Sequence, residues 1–278
     1  MARISLTKCQ GTGNDFVLLD RIASPQLDYA ALASGLCDRN FGVGADSVLV
    51  LERPTDFSCD VALRIFNADG SPAEMCGNGA RCVARYMHDR TPDAPRRTAI
   101  QTPAGVVRTE IVDDPARFAV RVAMSVPSDI RIYDRERAAG VAGEFADVVI
   151  GNPHTVIFVE LDLMTIDLPA VADAVAASTR FENGVNVEVA RIFKDGPVAL
   201  RVFERGVGET LACGTGACAV AVAAIEKKRA ASPVRVTMQG GEVFVDWAGP
   251  GEQVYLTGGA ELVFDTTIDV DAEVTIEM

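Results

Sequence analysis

Two stretches decide how this chain is read. The first runs Arg64-Ile65-Phe66-Asn67, then Glu74-Met75-Cys76-Gly77-Asn78-Gly79-Ala80. The second runs Arg201-Val202-Phe203-Glu204, then Leu211-Ala212-Cys213-Gly214-Thr215-Gly216-Ala217. Arg64 and Arg201 stand 137 residues apart, as do Cys76 and Cys213. That spacing is close to half of the 278-residue length, so the chain reads as one half repeated. Two more pairs agree: Gly13-Asn14 with Gly151-Asn152, and Gly44-Ala45-Asp46 with Gly184-Val185-Asn186. Duplicated halves commonly pack about a pseudo-twofold axis, which would set two equivalent thiols on opposite sides of one cleft. A reaction that takes a proton from one face of a carbon and returns one to the other face needs that arrangement.

Composition narrows the partners. The length allows two domains or one large one, and a chain of this size buries roughly three quarters of its unfolded surface. With 26 Lys and Arg against 39 Asp and Glu, the net charge is −13. That excess argues against nucleic acid and anionic membrane, which call for basic patches. No apolar run reaches membrane-spanning length and no secretory leader is read at the N-terminus. The seven cysteines are Cys9, Cys37, Cys59, Cys76, Cys82, Cys213 and Cys218. An odd count in a chain this large predicts reduced thiols in a cytoplasm. Zinc is not expected, because there is no CxxC pair and the two histidines, His88 and His154, lack ligand spacing.

The pattern of each half is strand-rich, with one main helix after its cysteine. Strands are predicted within residues 6–19, at 47–51 and at 61–66, and a meander at 100–102, 106–112 and 118–123. Helices are predicted at 29–37, with Asp28 as N-cap, and at 77–88. The second half repeats the plan: strands at 148–150, 155–159, 186–192 and 199–203, and helices at 168–177 and 214–227. Strands at 234–238, 242–247, 253–256 and 268–276 follow. The natural boundary is Ser125-Val126-Pro127-Ser128, and 135–144 reads as a loop. Turns such as Gly240-Gly241 predict largely antiparallel pairing, hence an α+β chain of two pseudo-symmetric halves.

In each loop the cysteine ends an extended segment and Gly-x-Gly opens a helix. Glycine lets a ligand approach the backbone closely. The first helical N–H groups lack partners within the helix and carry positive character. An anionic group can therefore sit there, and a cysteine at that point has its thiolate stabilised. Cys9, Cys37, Cys59, Cys82 and Cys218 read as small core residues. Asn14, Asn67, Asn152 and Asn186 lie beside glycine or proline, where asparagine often serves turns; at repeat-related positions the four read as a pocket lining. Glu204-Arg205 replaces Asn67-Ala68 in the second copy, as a substrate with two different ends would require. His154 reads as a residue that tunes a nearby thiol.

At these residues the chain resembles the diaminopimelate epimerase family of pyridoxal-independent enzymes. The likeness runs through Gly11 to Phe16, Asp38 to Asp46, Phe66 to Gly70, Glu74 to Arg81, Gly151 to His154, Gly184 to Glu188 and Glu204 to Ala219. It implies two domains, 1–125 and 126–264, each a largely antiparallel β-barrel-like sheet around a central helix, with a C-terminal strand at 265–278 returning to the first. It implies a homodimer, no cofactor and a substrate between the halves. The catalytic thiols map to Cys76 and Cys213, and the positions that modulate their pKa map to His154 and Glu204. Substrate-binding positions map to Asn14, Asn67, Gly77, Asn78, Asn152, Asn186, Glu204, Arg205, Gly214 and Thr215. The chain departs from the family at Gln10-Gly11-Thr12-Gly13, where many members have His-Gly-Leu-Gly. It also departs at Ser47, where some have a glutamine contact, so Ser47 is a further candidate. Leu256 to Ala260 lacks a proline often found there.

The activity implied is epimerisation of LL-2,6-diaminopimelate to the meso isomer, in lysine and peptidoglycan precursor synthesis. One thiolate would take the α-proton while the opposite thiol protonates the other face, with Cys213 as acceptor and Cys76 as donor in one direction. Other readings are a racemase or epimerase of another amino acid, such as histidine or hydroxyproline, on the same scaffold, a non-catalytic binding relative, and a thiol redox sensor.

Overall fold

The structure is a computed structural model that describes residues 2–22, 27–92, 94–114, 116–178, 180–194 and 196–270. The chain separates into two compact units: Ala123–Gly258, and the residues before and after that segment. The sequence reading placed these changeovers at 125/126 and 264/265.

The first unit contains β1 (Ala2–Gly11), β2 (Asn14–Asp20), α1 (Tyr29–Cys37), β3 (Ser47–Glu52), β4 (Val61–Asn67), β5 (Pro72–Ala73), α2 (Gly77–Arg90), β6 (Arg97–Thr102), β7 (Gly105–Val112) and β8 (Ala119–Ala123). The second contains β9 (Asp129–Ala138), β10 (Val141–Ile150), β11 (Asn152–Phe158), a 3-10 turn at Leu163–Thr165, α3 (Leu168–Ala176), β12 (Asn186–Ile192), β13 (Val198–Glu204), β14 (Gly208–Thr210), α4 (Gly214–Glu226), β15 (Val234–Met238), β16 (Gly241–Asp246) and β17 (Tyr255–Gly259). The chain then returns to the first unit as β18 (Glu261–Val270), which pairs antiparallel with β1 from Gln10↔Glu261 to Ala2↔Val270.

The two sheets have the same plan. In the first the order is β18-β1-β2-β3-β4-β6-β7-β8, with β5 also on β4. In the second it is β9-β10-β11-β12-β13-β15-β16-β17, with β14 also on β13. Pairing is antiparallel except at equivalent places: β2–β3 and β4–β6 in one unit, β11–β12 and β13–β15 in the other.

Burial explains why a helix sits inside each sheet. From Gly214 to Ala224, α4 is buried on every side save Thr215. A helix apolar all round must be enclosed, and α4 touches strands from β9 to β16 across its sheet. α2 touches β18 and β1 near one end of its sheet and β6 and β7 near the other, so that sheet curls around it. α1 and α3 lie on the outer faces, where they build a second core. Val17, Leu19, Val48 and Val50 meet Leu32, Ala33 and Leu36; Val187 and Val189 meet Leu168, Val171 and Val175. Strands covered on both faces read as continuous apolar runs. Asp28 and Asp167 cap these outer helices by accepting from the Ala31 and Ala170 N–H groups at 3.1 and 3.2 Å.

Two expectations are corrected. The loop read at 135–144 is a hairpin of β9 and β10, turning at Ala139 and Gly140 with φ of 46° and 82°. Positive φ at both central residues makes a tight hairpin turn. Alanine does not announce such a turn, and β9 is largely exposed and charged, which hides the strand alternation. The last strand, read at 268–276, starts earlier, at Glu261, and residues 271–276 lie outside the described ones. Among the described residues no helix is long and apolar enough to cross a membrane.

An ion cluster ties the 38–46 loop to the sheet of the first unit. Asp15 takes Lys8 Nζ at 2.5 Å and Arg39 Nη2 at 2.8 Å, and Arg39 also reaches Asp46 at 2.7 Å. Burial pushes the Asp15 carboxyl up, but Arg39 and Lys8, by hydrogen bond and charge, reverse this and hold it at about 2. A depressed carboxyl stabilises the fold above its unfolded value of 3.8 and loses that contribution as pH falls through about 2. Discounted for the solvent that screens this partly exposed cluster, the contribution is roughly 1 kcal/mol. Asp15→Asn should therefore lower the thermal midpoint at neutral pH and flatten its decline between these two values, as followed by circular dichroism.

Candidate active site

Each central helix begins at a cysteine. Cys76 and Cys213 are the N-caps of α2 and α4, both extended, with φ, ψ of −142°, 116° and −128°, 120°. Each sulfur accepts the N–H three residues on, from Gly79 and Gly216, at 3.4 Å. Sulfur is a weak acceptor, so the cap satisfies a helix N–H without committing the sulfur's proton. The glycines are sterically needed: a Cβ on Gly216 would lie 2.8 Å from Glu188 Oε1 and 3.4 Å from Cys213 Sγ, and one on Gly79 would lie 3.1 Å from Leu49 Cδ2.

In the first unit, Asn14 organises the cysteine. The Cys76 thiol points at Asn14 Oδ1 at 3.7 Å, and Asn78 Nδ2 donates to the same oxygen at 3.2 Å. Asn14 Nδ2 donates to Asp46 Oδ2 at 2.7 Å, which links this group to the Arg39 cluster. Asn14 is placed by the β1–β2 turn, where Thr12 and Gly13 have φ of 58° and 78°. Asn67, opposite Ser47 in the β3–β4 register, accepts from the Ser47 hydroxyl at 3.4 Å and donates to Ser71 Oγ at 3.0 Å. Cys76 is partly exposed, while Gly77 and Asn78 are buried.

In the second unit, Cys213 has Thr215 Oγ1 at 3.4 Å and is 5% exposed. His154 and Glu188 are fully buried side by side on the parallel strands β11 and β12, with Nδ1 2.7 Å from Oε1. His154 Nε2 lies 2.8 Å from Asn152 Oδ1. Both ring nitrogens are thus engaged, by Glu188 and Asn152. Asn186 Oδ1 accepts the Arg205 N–H at 2.8 Å, and the exposed Arg205 side chain donates to the Asn183 carbonyl. Glu204 Oε1 accepts from Thr210 at 2.6 Å. Gly214 is buried at the helix start.

The stabilised thiolate expected at both helix starts is not the outcome at Cys213. Burial pushes that thiol well above its ordinary range, and the nearby carboxyl groups of Glu204 and Glu188 push the same way. The Thr215 hydroxyl and the Gly216 N–H pull back and lose. Desolvation of a buried sulfur outweighs one helix N–H. Sequence reasoning assigned no role to Asp46, Thr210 or Glu188. Only Glu188 carried a signal, as a carboxyl between Val187 and Val189.

Because Leu49 ends in a movable methyl while the Glu188 carboxyl is pinned by His154, the two glycines should differ. Gly216→Ala should cost about 1–3 kcal/mol of stability and Gly79→Ala less, as measured by urea denaturation of both variants.

Comparison with known proteins gives the family. The family model described as diaminopimelate epimerase matches residues 6–129 and 147–263. The chain is 39% identical over 277 residues to the diaminopimelate epimerase of Aromatoleum aromaticum, covering 96% of this chain and 99% of that one. It is 40% identical over 279 residues to that of Acinetobacter baumannii strain AYE, covering 96% and 98%. Among solved structures, a hydroxyproline epimerase from Agrobacterium vitis shares the fold with a TM-score of 0.71 at 16% identity, covering 98% and 94%. A phenazine biosynthesis protein of the PhzF family from Bacillus anthracis does so with a TM-score of 0.73 at 13% identity, covering 97% and 100%. Matched over nearly its whole length, this chain with a cysteine cap on each central helix belongs to the diaminopimelate epimerase family.

Proposed function

We propose that the protein interconverts LL- and meso-2,6-diaminopimelate without a cofactor, by a two-base reaction in which Cys76 and Cys213 act on opposite faces of one α-carbon. The observation that carries the reading is the duplicated cysteine cap, each sulfur 3.4 Å from a glycine N–H at the start of a buried helix. The free N–H groups of each helix start are the donors for the substrate α-carboxylate and for the charge that builds on it as the proton leaves. One sulfur removes the α-proton as a thiolate; the other, as a thiol, delivers a proton to the far face. The upward push on Cys213 suits it to the donor role at the outset. For the direction in which Cys213 is the acceptor, its proton must leave as the substrate binds.

The remaining side chains fit binding roles. Asn14 and Asn78 hold the Cys76 side, and Asn67, with Ser47 behind it, adds a polar position. Asn152, Asn186, Glu204, Arg205 and Thr215 serve the other unit. Glu204 and Arg205 stand where the first repeat has Asn67 and Ala68, so one repeat carries a charged pair suited to the distal amino-acid head. Domains at 1–125 with 265–278 and at 126–264, a homodimer and a cytoplasmic setting belong to the same reading, supported by the family resemblance. So does a place in lysine and peptidoglycan precursor synthesis.

The test follows α-hydrogen exchange by NMR in deuterated water for LL-diaminopimelate, histidine, proline and hydroxyproline. Exchange confined to diaminopimelate is expected; exchange of a cyclic or aromatic amino acid alone would transfer the reading to another racemase. Cys76→Ala and Cys213→Ala should each reduce epimerisation at least ~10³-fold with the fold intact by circular dichroism. Near-native turnover in either variant contradicts the two-base scheme.

A further inference from the structure

Glu188 and His154 have no polar counterpart in the first repeat. In the strand registers Asn186 lies opposite His154 as Ser47 lies opposite Phe16, which sets His154 against Phe16 and Glu188 against Leu49. Phe16 and Leu49 lie on β2 and β3, the parallel pair equivalent to β11 and β12, and are 1% and 0% exposed. One repeat therefore fills this place with hydrocarbon and the other with an imidazole and a carboxyl, both 0% exposed. Well-packed apolar residues commonly replace a buried ion pair at no loss of stability. The fold does not demand the polar pair, and its location behind Cys213 gives it another use.

The proton inventory follows from the contacts. Glu188 Oε1 meets His154 Nδ1 at 2.7 Å, while Glu188 Oε2 is buried with no hydrogen-bond partner. A carboxylate with one orphan oxygen in an enclosed site is costly; a neutral acid, whose carbonyl oxygen is the orphan, is far less so. Oε1–H then donates to Nδ1 and Nε2–H donates to Asn152 Oδ1, which satisfies both ring nitrogens of a neutral imidazole. The titratable groups bearing on Glu188 are His154 from β11, Glu204 from β13 and Cys213 from the start of α4. Toward α3, the neighbouring Val187 and Val189 lie in an apolar core with Leu168, Val171 and Val175. Burial pushes the Glu188 carboxyl up, His154 pulls it down and Glu204 adds to the rise.

We propose that Glu188 is a positioning residue for Cys213: as a neutral acid donating to a neutral His154, it fixes the imidazole and withholds a negative charge from the start of α4. The thiol can then give and take its proton there. This deepens the proposed function and rests on Cys213 being an acid–base group.

The experiment compares wild type, Glu188→Gln, Glu188→Val and the double change His154→Phe with Glu188→Leu, which copies the first repeat. Two readouts are taken: kcat and KM with LL-diaminopimelate, and the pH dependence of Cys213 alkylation by iodoacetamide, read by peptide mass spectrometry. Glutamine donates to Nδ1 as the neutral acid does and can never be charged. Glu188→Val should lose kcat about 10- to 100-fold with KM little changed, and Glu188→Gln should rescue kcat and keep the alkylation midpoint within about 0.5 pH unit of wild type. The double variant should melt at or above the wild-type temperature yet stay slow, which separates the role from folding. A Glu188→Gln enzyme as slow as Glu188→Val, or one whose midpoint falls by a unit or more, would mean that the carboxylate is the working form and would overturn the proposal. So would native kcat in Glu188→Val or in the double variant. Alkylation needs no substrate, so a wild type inactive on diaminopimelate would defeat the proposed function and leave the comparison of midpoints standing.

Discussion

A sulfur atom capping a buried helix is the interaction on which the rest of this structure depends. α4 is apolar on nearly every side, so the sheet must surround it, and its first N–H groups then need partners within the protein. Cys213 supplies one through sulfur, and Cys76 does the same for α2. A serine or aspartate would cap more strongly, but neither could serve as a proton carrier of the thiol kind. Gly-x-Gly follows because the carboxyl of Glu188 leaves no room for a Cβ at Gly216 and the Leu49 side chain crowds one at Gly79.

The two repeats share this cap and differ in what surrounds it. In the first unit the cysteine leans on Asn14, and Asn14 on Asp46, Arg39 and Asp15, a chain of charged and amide groups that is partly open to water. In the second the cysteine is 5% exposed and has the carboxyl groups of Glu204 and Glu188 as its neighbours. Equivalent sulfurs are thereby placed in unlike fields. For a reaction that needs one thiol and one thiolate at each turnover, this inequality sets which proton is held at the start. A single uncancelled charge in a site that excludes water shifts such a balance strongly.

Much of this was legible in the sequence. The duplication lay in the spacing of Arg64, Cys76, Arg201 and Cys213, and the helices after the cysteines in the glycines that open them. α1 was bounded by its Asp28 cap, and β3 by a run of apolar residues buried on both faces. Less legible was whatever depended on burial. The β9–β10 hairpin was hidden by exposed charges and by an alanine with positive φ. The thiolate expected at Cys213 was misjudged because a helix start is visible in a sequence and the depth of a sulfur is not. Glu188 stood in plain view within a matched segment, but its pairing with His154 depends on the parallel register of β11 and β12, which no local pattern encodes.

The central claim is that two sulfurs, one from each repeat, divide the work at one stereocentre. A thiol carries one proton, so an acceptor that has just taken the substrate's hydrogen cannot return solvent deuterium to the same face. The direct measurement is the early time course of LL-diaminopimelate in deuterated water, with both isomers separated and their isotope content read by mass spectrometry. The account predicts deuterium at the inverted centre of the meso product while the remaining LL pool stays unlabelled. Deuterium entering the LL pool as fast as product forms would contradict it.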